Sequence, residues 1–277
     1  MSAPSCTGRY QRGFSLVELV AVIVLLGVTA VATSQFIGQG MGIYVDTVRR
    51  DSLQQQGRFA IERLSRELRN ALPGSVRVQG YCIEFVPIEA ASSYLGNVAD
   101  FAQTGFQAVD FDYTSSAVSG RSVAVYTVAN EDVYSIGRGA VAELLSVAAV
   151  DSSQRRVKLA EDSDPGHRFW RESPTGRFYI VTAPVSFCLS ANQLLRHSDY
   201  GWLAVQSSSS GDLGSGQLLA ESIASLDAAG DPIAVFAFNS GTLQRAGAVH
   251  LDFRFRDSAA EDEQLVFSQE ILLRNTP

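Results

Sequence analysis

Three kinds of side chain in this sequence sit where they could do chemistry: one carboxylate, three thiols and three imidazoles. The carboxylate is Glu18, the only polar interruption between Leu16 and Leu26 in the stretch GFSLVELVAVIVLLG, which runs from Gly13 to Gly27. A carboxylate at the centre of a membrane-spanning helix costs about 2.5–3.5 kcal/mol on insertion scales, and less near an interface. It becomes tolerable when it meets a cation, so the chemistry open to Glu18 is pairing. The thiols are Cys6, Cys82 and Cys188, an odd set that leaves one spare if two pair. His167, His197 and His250 are far apart, none has a His or Cys at ligand spacing, and they read as solvated or core histidines. The run Asp162-Ser163-Asp164-Pro165-Gly166 starts like a calcium loop but lacks the rest of that pattern, and reads as a polar turn. There is no G-x-S-x-G, H-E-x-x-H, P-loop or C-x-x-C motif. No catalytic or metal-binding residue is assigned, and no cofactor is expected.

These residues are carried by a chain of 277 residues, 46% hydrophobic and 18% charged, with a formal charge of −7. That length suits one medium-large domain plus an anchor, or two small domains. The acidic balance argues against nucleic acid as a partner, because duplex binding needs clustered Lys and Arg, and Lys158 is the only lysine. From Leu19 to Val45 no residue is charged, which is long enough to span a bilayer as a helix. Arg9 and Arg12 precede the run, so its N-terminal side should stay in the cytoplasm and the bulk of the chain lie outside. A secretory signal would put its small-residue cleavage site after the apolar run. A plain signal anchor explains the run but not Glu18.

Past the run the pattern turns amphipathic. Leu53, Gly57, Ala60, Ile61, Leu64, Leu68 and Leu72 recur at spacings of three and four, one face of a helix that packs on a globular head. Glu62–Arg66 and Arg63–Glu67 are spaced as i,i+4 pairs on its solvated side, and Pro73-Gly74 should stop it. Between the two halves lie Gly38, Gly40 and Gly42, each costing about 1 kcal/mol against Ala in a helix interior. They read equally as a weak point or as sites of close helix packing. From Ser75 onward short extended runs alternate with turn residues. Strands are expected at Cys82–Pro87, Val123–Val128, Arg156–Ala160, Arg177–Thr182, Val185–Leu189, Val249–Phe255 and Leu265–Leu273. The Ser-rich stretch from Gln206 to Gly216 reads as a flexible loop, Leu218–Leu226 as a short helix or strand, and Asp257–Glu263 as a solvated acidic loop.

The order Gly13-Phe14-Ser15-Leu16-Val17-Glu18 followed by an apolar helix resembles the class III signal of type IV prepilins and pseudopilins. That resemblance implies that a prepilin peptidase cuts between Gly13 and Phe14 on the cytoplasmic side and methylates the new amine of Phe14. The apolar helix is then kept, and Glu18 meets the N-terminal amine of an adjacent subunit during assembly. It implies an α+β, pilin-like fold: a leader over 1–13, a transmembrane and filament-core helix half over 14–45, an amphipathic half over 46–72, and a β-rich antiparallel head over 75–277. The partners implied are the peptidase, other major and minor pilins, the inner-membrane assembly platform and, before assembly, membrane lipid. The protein would be structural rather than an enzyme, first in the bacterial inner membrane and then in an extracellular pilus or periplasmic pseudopilus. Loss of the leader removes Cys6 and two arginines, leaving 20 basic against 29 acidic residues, a net charge of −9. Outside the cytoplasmic membrane the compartment is oxidising, so Cys82 and Cys188 either form a disulfide or remain two buried thiols.

The head adds weaker likeness. FAIERLSRELRNALP (Phe59–Pro73) is similar to the helix of larger minor pilins and of the J-type pseudopilin of type II secretion. Tyr81–Ile88, Phe187–Leu189, Leu194–His197 and the C-terminal Ile271–Pro277 resemble minor pilins of mannose-sensitive haemagglutinin (MSHA) type. These likenesses imply a minor subunit aiding pilus initiation or tip formation and surface attachment. The alternatives are a pseudopilin of type II secretion and a membrane-anchored extracytoplasmic enzyme or binding module.

Overall fold

A computed structural model describes residues 13, 15–113, 118–135, 139–160, 166–227, 229–241, 245–257 and 260–274. The chain is α+β: a long N-terminal helix followed by antiparallel β-structure. It divides into two units, Met1–Asp51 and Ser52–Pro277, described separately below.

The first unit is the N-terminal part of helix α1 (Leu16–Arg69). The helix runs through Gly38, Gly40 and Gly42 without a break, and a Cβ built on any of the three meets nothing within 4 Å. The threonine hydroxyls of this part are absorbed by the helix itself. Thr29 donates to the Leu25 carbonyl at 3.0 Å, Thr33 to Thr29 at 2.7 Å and Thr47 to Ile43 at 2.7 Å. Back-bonding of this kind satisfies a hydroxyl without water.

In the second unit, the expected stripe is the buried face of α1. Gly57, Ala60, Leu64, Ser65 and Leu68 are buried, and Leu53 and Ile61 pack against the same core. The helix ends at Arg69, three residues short of the expected Leu72, because the chain there begins to pair. Leu72 N donates to the Val86 carbonyl at 2.8 Å and Ile88 N to the Asn70 carbonyl at 2.9 Å.

The head strands are β1 (Arg77–Gln79), β2 (Cys82–Phe85), β3 (Ile88–Leu95), β4 (Gly105–Val109), β5 (Ser122–Val125), β6 (Val141–Ala149), β7 (Gln154–Leu159), β8 (Arg177–Val181), β9 (Val185–Ser190), β10 (Gln193–His197), β11 (Gln217–Ala220), β12 (Phe236–Asn239), β13 (Ala248–Asp257) and β14 (Ala260–Leu272), with a short helix α2 (Asn130–Tyr134). They form three structures. A five-stranded sheet has the order β1-β2-β9-β10-β11, a three-stranded sheet the order β12-β13-β14, and β3-β4-β7-β6-β5-β8 close into a barrel. The helix face, Phe85 and Phe187 of the larger sheet, and Phe236, Phe253 and Phe255 of the smaller one share one core. The barrel has its own, in which Phe106 meets Phe178 edge-on with ring centres 5.1 Å apart.

All seven strands expected from the sequence are present, with ends shifted by a few residues. The region Leu218–Leu226 holds the end of a strand, β11. The Ser-rich stretch is corrected: Ser210–Leu213 forms a 3-10 turn with Ser210 and Leu213 buried, and Gln206 donates to the Cys82 carbonyl at 3.1 Å. The acidic run is corrected too, since its residues from Ala260 onward begin β14. Of the two i,i+4 pairs, Arg63–Glu67 closes at 2.6 Å. Glu62 and Arg66 are exposed and form no ion pair among the described residues. Glu67 also reaches Arg196 on β10 at 3.1 Å, so it ties helix to sheet rather than facing only water.

At Gly57 the helix lies close against the small sheet, and a Cβ there would overlap the Phe267 ring of β14. Replacing Gly by Ala in a helix ordinarily gains about 1 kcal/mol, whereas overpacking costs about 1–3 kcal/mol. Gly57→Ala should therefore lower the unfolding free energy in a denaturant titration; a more stable variant would show that Phe267 yields freely.

Candidate assembly helix and head lock

The candidate assembly residues lie at the start of α1. Gly13 and Ser15 are exposed, and Phe14 falls outside the described residues. The first helical turn closes through Leu19 N donating to the Ser15 carbonyl at 3.1 Å. Glu18 sits in this turn, exposed, where the helix macrodipole favours negative charge. None of the residues from Leu16 to Asp51 is buried, and Leu16, Ile23, Leu25, Leu26, Phe36 and Ile43 are all more than half exposed. The apolar run from Leu16 to Val45 is about 45 Å long at 1.5 Å a residue, longer than the ~30 Å hydrocarbon core of a bilayer. The helix has the length and composition of a membrane span, with a peak mean hydropathy of 2.5.

The second feature is in the head. Cys82 and Cys188 form a disulfide. They are directly opposed residues of the antiparallel pair β2–β9, whose register runs Cys82↔Cys188 to Phe85↔Val185. The barrel strands β3 to β8 all lie between β2 and β9 in sequence, so the barrel is an insertion between two neighbouring strands of the five-stranded sheet. The disulfide closes a loop of sequence separation 106 around it.

Beside this join is a buried ion pair. Arg77 donates from Nη2 to Glu84 at 2.9 Å and to the Leu203 carbonyl at 2.7 Å, and from Nη1 to the Ala204 carbonyl at 3.0 Å. Its guanidinium lies 3.5 Å from the centre of the Tyr134 ring, and Tyr134 donates to the Ser75 carbonyl at 2.8 Å. Glu84 is fully buried. Burial pushes its carboxyl above the usual range, outweighing the opposite pull of Arg77. Burial, with the Glu84 charge second, likewise raises the Tyr134 and Tyr200 phenols. Neither this cluster nor the Glu67–Arg196 tie was signalled by spacing along the chain, because each joins segments distant in sequence.

Of the histidines, His197 is buried with Nε2 2.8 Å from the Ser210 hydroxyl, His167 is half-buried, and His250 is exposed. No group of three or more His, Cys, Asp or Glu suited to a metal occurs among the described residues. The turn at Asp162–Pro165 lies outside them.

Comparison with known proteins adds one finding. The family profile of the prokaryotic N-terminal methylation motif matches residues 8–34, the stretch that holds Gly13, Phe14, Glu18 and the first part of α1. The motif supports a type IV pilin-like or pseudopilin protein. It implies processing by prepilin peptidase and assembly with other pilins. No curated protein and no solved structure gives a significant match.

Two outcomes follow for the head. The Cys82→Ser/Cys188→Ser double variant should lose about 2–5 kcal/mol of stability, read as a lower denaturation midpoint; an unchanged midpoint would show that the sheet register holds the barrel without the bond. For Glu84, the raised carboxyl pKa means that the folded chain keeps a proton which the unfolded chain has already released. Its contribution to stability is full below the ordinary carboxylate range and is lost as pH rises through the raised value. Melting temperatures of the protein and of Glu84→Gln, compared from about pH 4 to about pH 8, should diverge, with the unmodified protein falling relative to the variant. Parallel curves would refute this.

Proposed function

We propose that this chain is a minor pilin of an MSHA-like type IV pilus, inserted in the bacterial inner membrane with its N-terminus cytoplasmic. Prepilin peptidase cuts between Gly13 and Phe14 and methylates the Phe14 amine. The helix half over 14–45 then leaves lipid for the filament core, helped by the assembly platform, while the half over 46–72 belongs with the head. The observation that carries the reading is the coincidence of two features: the methylation motif over residues 8–34, and a helix whose apolar side chains from Leu16 to Val45 are exposed.

Glu18 is the registration device in this account. Unpaired in lipid its charge is costly; paired with the Phe14 amine of a neighbouring subunit it is satisfied. Gly38, Gly40 and Gly42 are the proposed weak point at which the helix yields during packing, for each lacks a side chain to hold the turn. A head that carries an inserted barrel suits the tip or initiation complex, by bulk, better than a repeating shaft, and a tip position would serve surface attachment. The same physics serves a pseudopilin of type II secretion, and the filament with which the protein co-purifies separates the two.

Glu18→Ala should still insert in the membrane and still be cleaved, but its recovery in a filament pull-down should fall at least about tenfold, the loss of one buried charge pairing. Recovery equal to that of the unmodified protein would remove Glu18 from assembly.

A further inference from the structure

The sequence contains two tryptophans, Trp170 and Trp202. They lie on separate segments, one after β7 and one after β10, yet both line the same cavity of about 720 Å³ at the side of the barrel. Trp170 is half exposed. Trp202 forms a wall, its ring centre 6.2 Å from that of Tyr134. The remaining lining supplies hydrogen-bonding groups of both senses. Glu143, in β6, carries an exposed carboxylate with no partner among the described residues. Arg168 spends its Nε on the Ala99 carbonyl at 2.7 Å, which leaves its terminal nitrogens as donors. His167 lies with Nε2 3.2 Å from the Gly139 carbonyl. A carbonyl only accepts, so Nε2 carries the proton. Burial lowers the imidazole pKa, and the neutral ring then offers Nδ1 as an acceptor.

The segment that carries Trp170 is fixed. The Val98 and Ala99 amides both donate to Glu172 at 2.6 Å, Tyr94 donates to the same carboxylate, and Arg168 holds the Ala99 carbonyl. A Cβ added at Gly139 would lie 3.5 Å from the Trp170 ring, and the φ of +137° there is one that side chains rarely adopt. The aromatic surface is therefore presented by a held segment, as expected of a preformed site.

The chemistry of the lining selects the ligand. Polyanions are disfavoured by a chain of net charge −7. A lipid tail has no use for a carboxylate, a guanidinium and an imidazole at the rim. A pyranose fits both demands, because one face of the ring is C–H and its edge is a row of hydroxyls. We propose that this cleft is a binding site for a neutral glycan, with a sugar ring laid on Trp170 and its hydroxyls shared between Glu143, Arg168 and His167. The site does not depend on the filament reading, since the residues it uses all lie in the head of one chain.

Because both tryptophans line the cleft, tryptophan fluorescence, excited beyond the absorption of tyrosine, reports on it. The full-length protein, held in a detergent without a sugar headgroup, is titrated with maltoheptaose, cellohexaose and chitohexaose, with calorimetry in parallel. At least one should give a saturable change with a Kd between about 10 μM and about 1 mM. Trp170→Ala should weaken that binding at least about tenfold, the loss of a stacking platform. Glu143→Gln, an exposed change with no packing to lose, should weaken it about threefold or more. No saturable signal from any of the three sugars by either method overturns the proposal. So does binding that survives unchanged in both variants.

Discussion

Among the described residues, those from Leu16 to Asp51 are exposed, although the stretch up to Val45 holds no charge but Glu18. Apolar surface of this extent does not persist in water. Such a surface calls for cover by lipid or by other chains, and the N-terminal methylation motif implies assembly with other pilins. Within Leu16–Val45 two threonines suit a dry surrounding, since Thr29 and Thr33 bond to carbonyls one turn back, and Glu18, the one carboxylate of that stretch, sits at the end where the dipole favours it. An unpaired carboxylate at this place is costly in lipid, and a neighbouring cation would relieve that cost.

The head solves a different problem. Residues Ser52–Arg69 of the helix and two antiparallel sheets enclose one core, and a six-stranded barrel with a separate core interrupts the larger sheet between β2 and β9. Strands that must pair across so long an insertion face a large loop-closure cost. The disulfide between directly opposed cysteines meets that cost at the join, and the Arg77–Glu84 pair, with the Leu203 and Ala204 carbonyls, fastens the neighbouring loop. A closed barrel has no free edge to aggregate.

Much of this was legible in the sequence because the signals are local. The spacing of Gly13, Phe14 and Glu18 lies within six residues, the stripe Gly57–Ala60–Leu64–Leu68 repeats at helical period, and the runs at Arg177 and Val185 are dense in β-branched and aromatic side chains. What escaped was non-local. Closure of the barrel depends on β3 pairing with β8, and nothing in Ile88–Leu95, rich in Ala and Ser, announces a strand. The Ser-rich segment read as loose because serine is polar; it is held because Ser210 meets a buried His197 and Gln206 meets the Cys82 carbonyl. Glu67 read as a solvated member of a helical pair because its second partner, Arg196, arrives from β10. The cleft with both tryptophans escaped for the same reason, since its walls come from segments far apart in the chain.

The central claim is that the apolar helix is a retained, processed assembly element and not a removable signal or a simple anchor. N-terminal sequencing with intact-mass measurement of the protein recovered from cell membranes tests it most directly. The account predicts a chain that begins at an N-methylated Phe14 and lacks residues 1–13. A chain that keeps residues 1–13, or one cut beyond the apolar run, would contradict it.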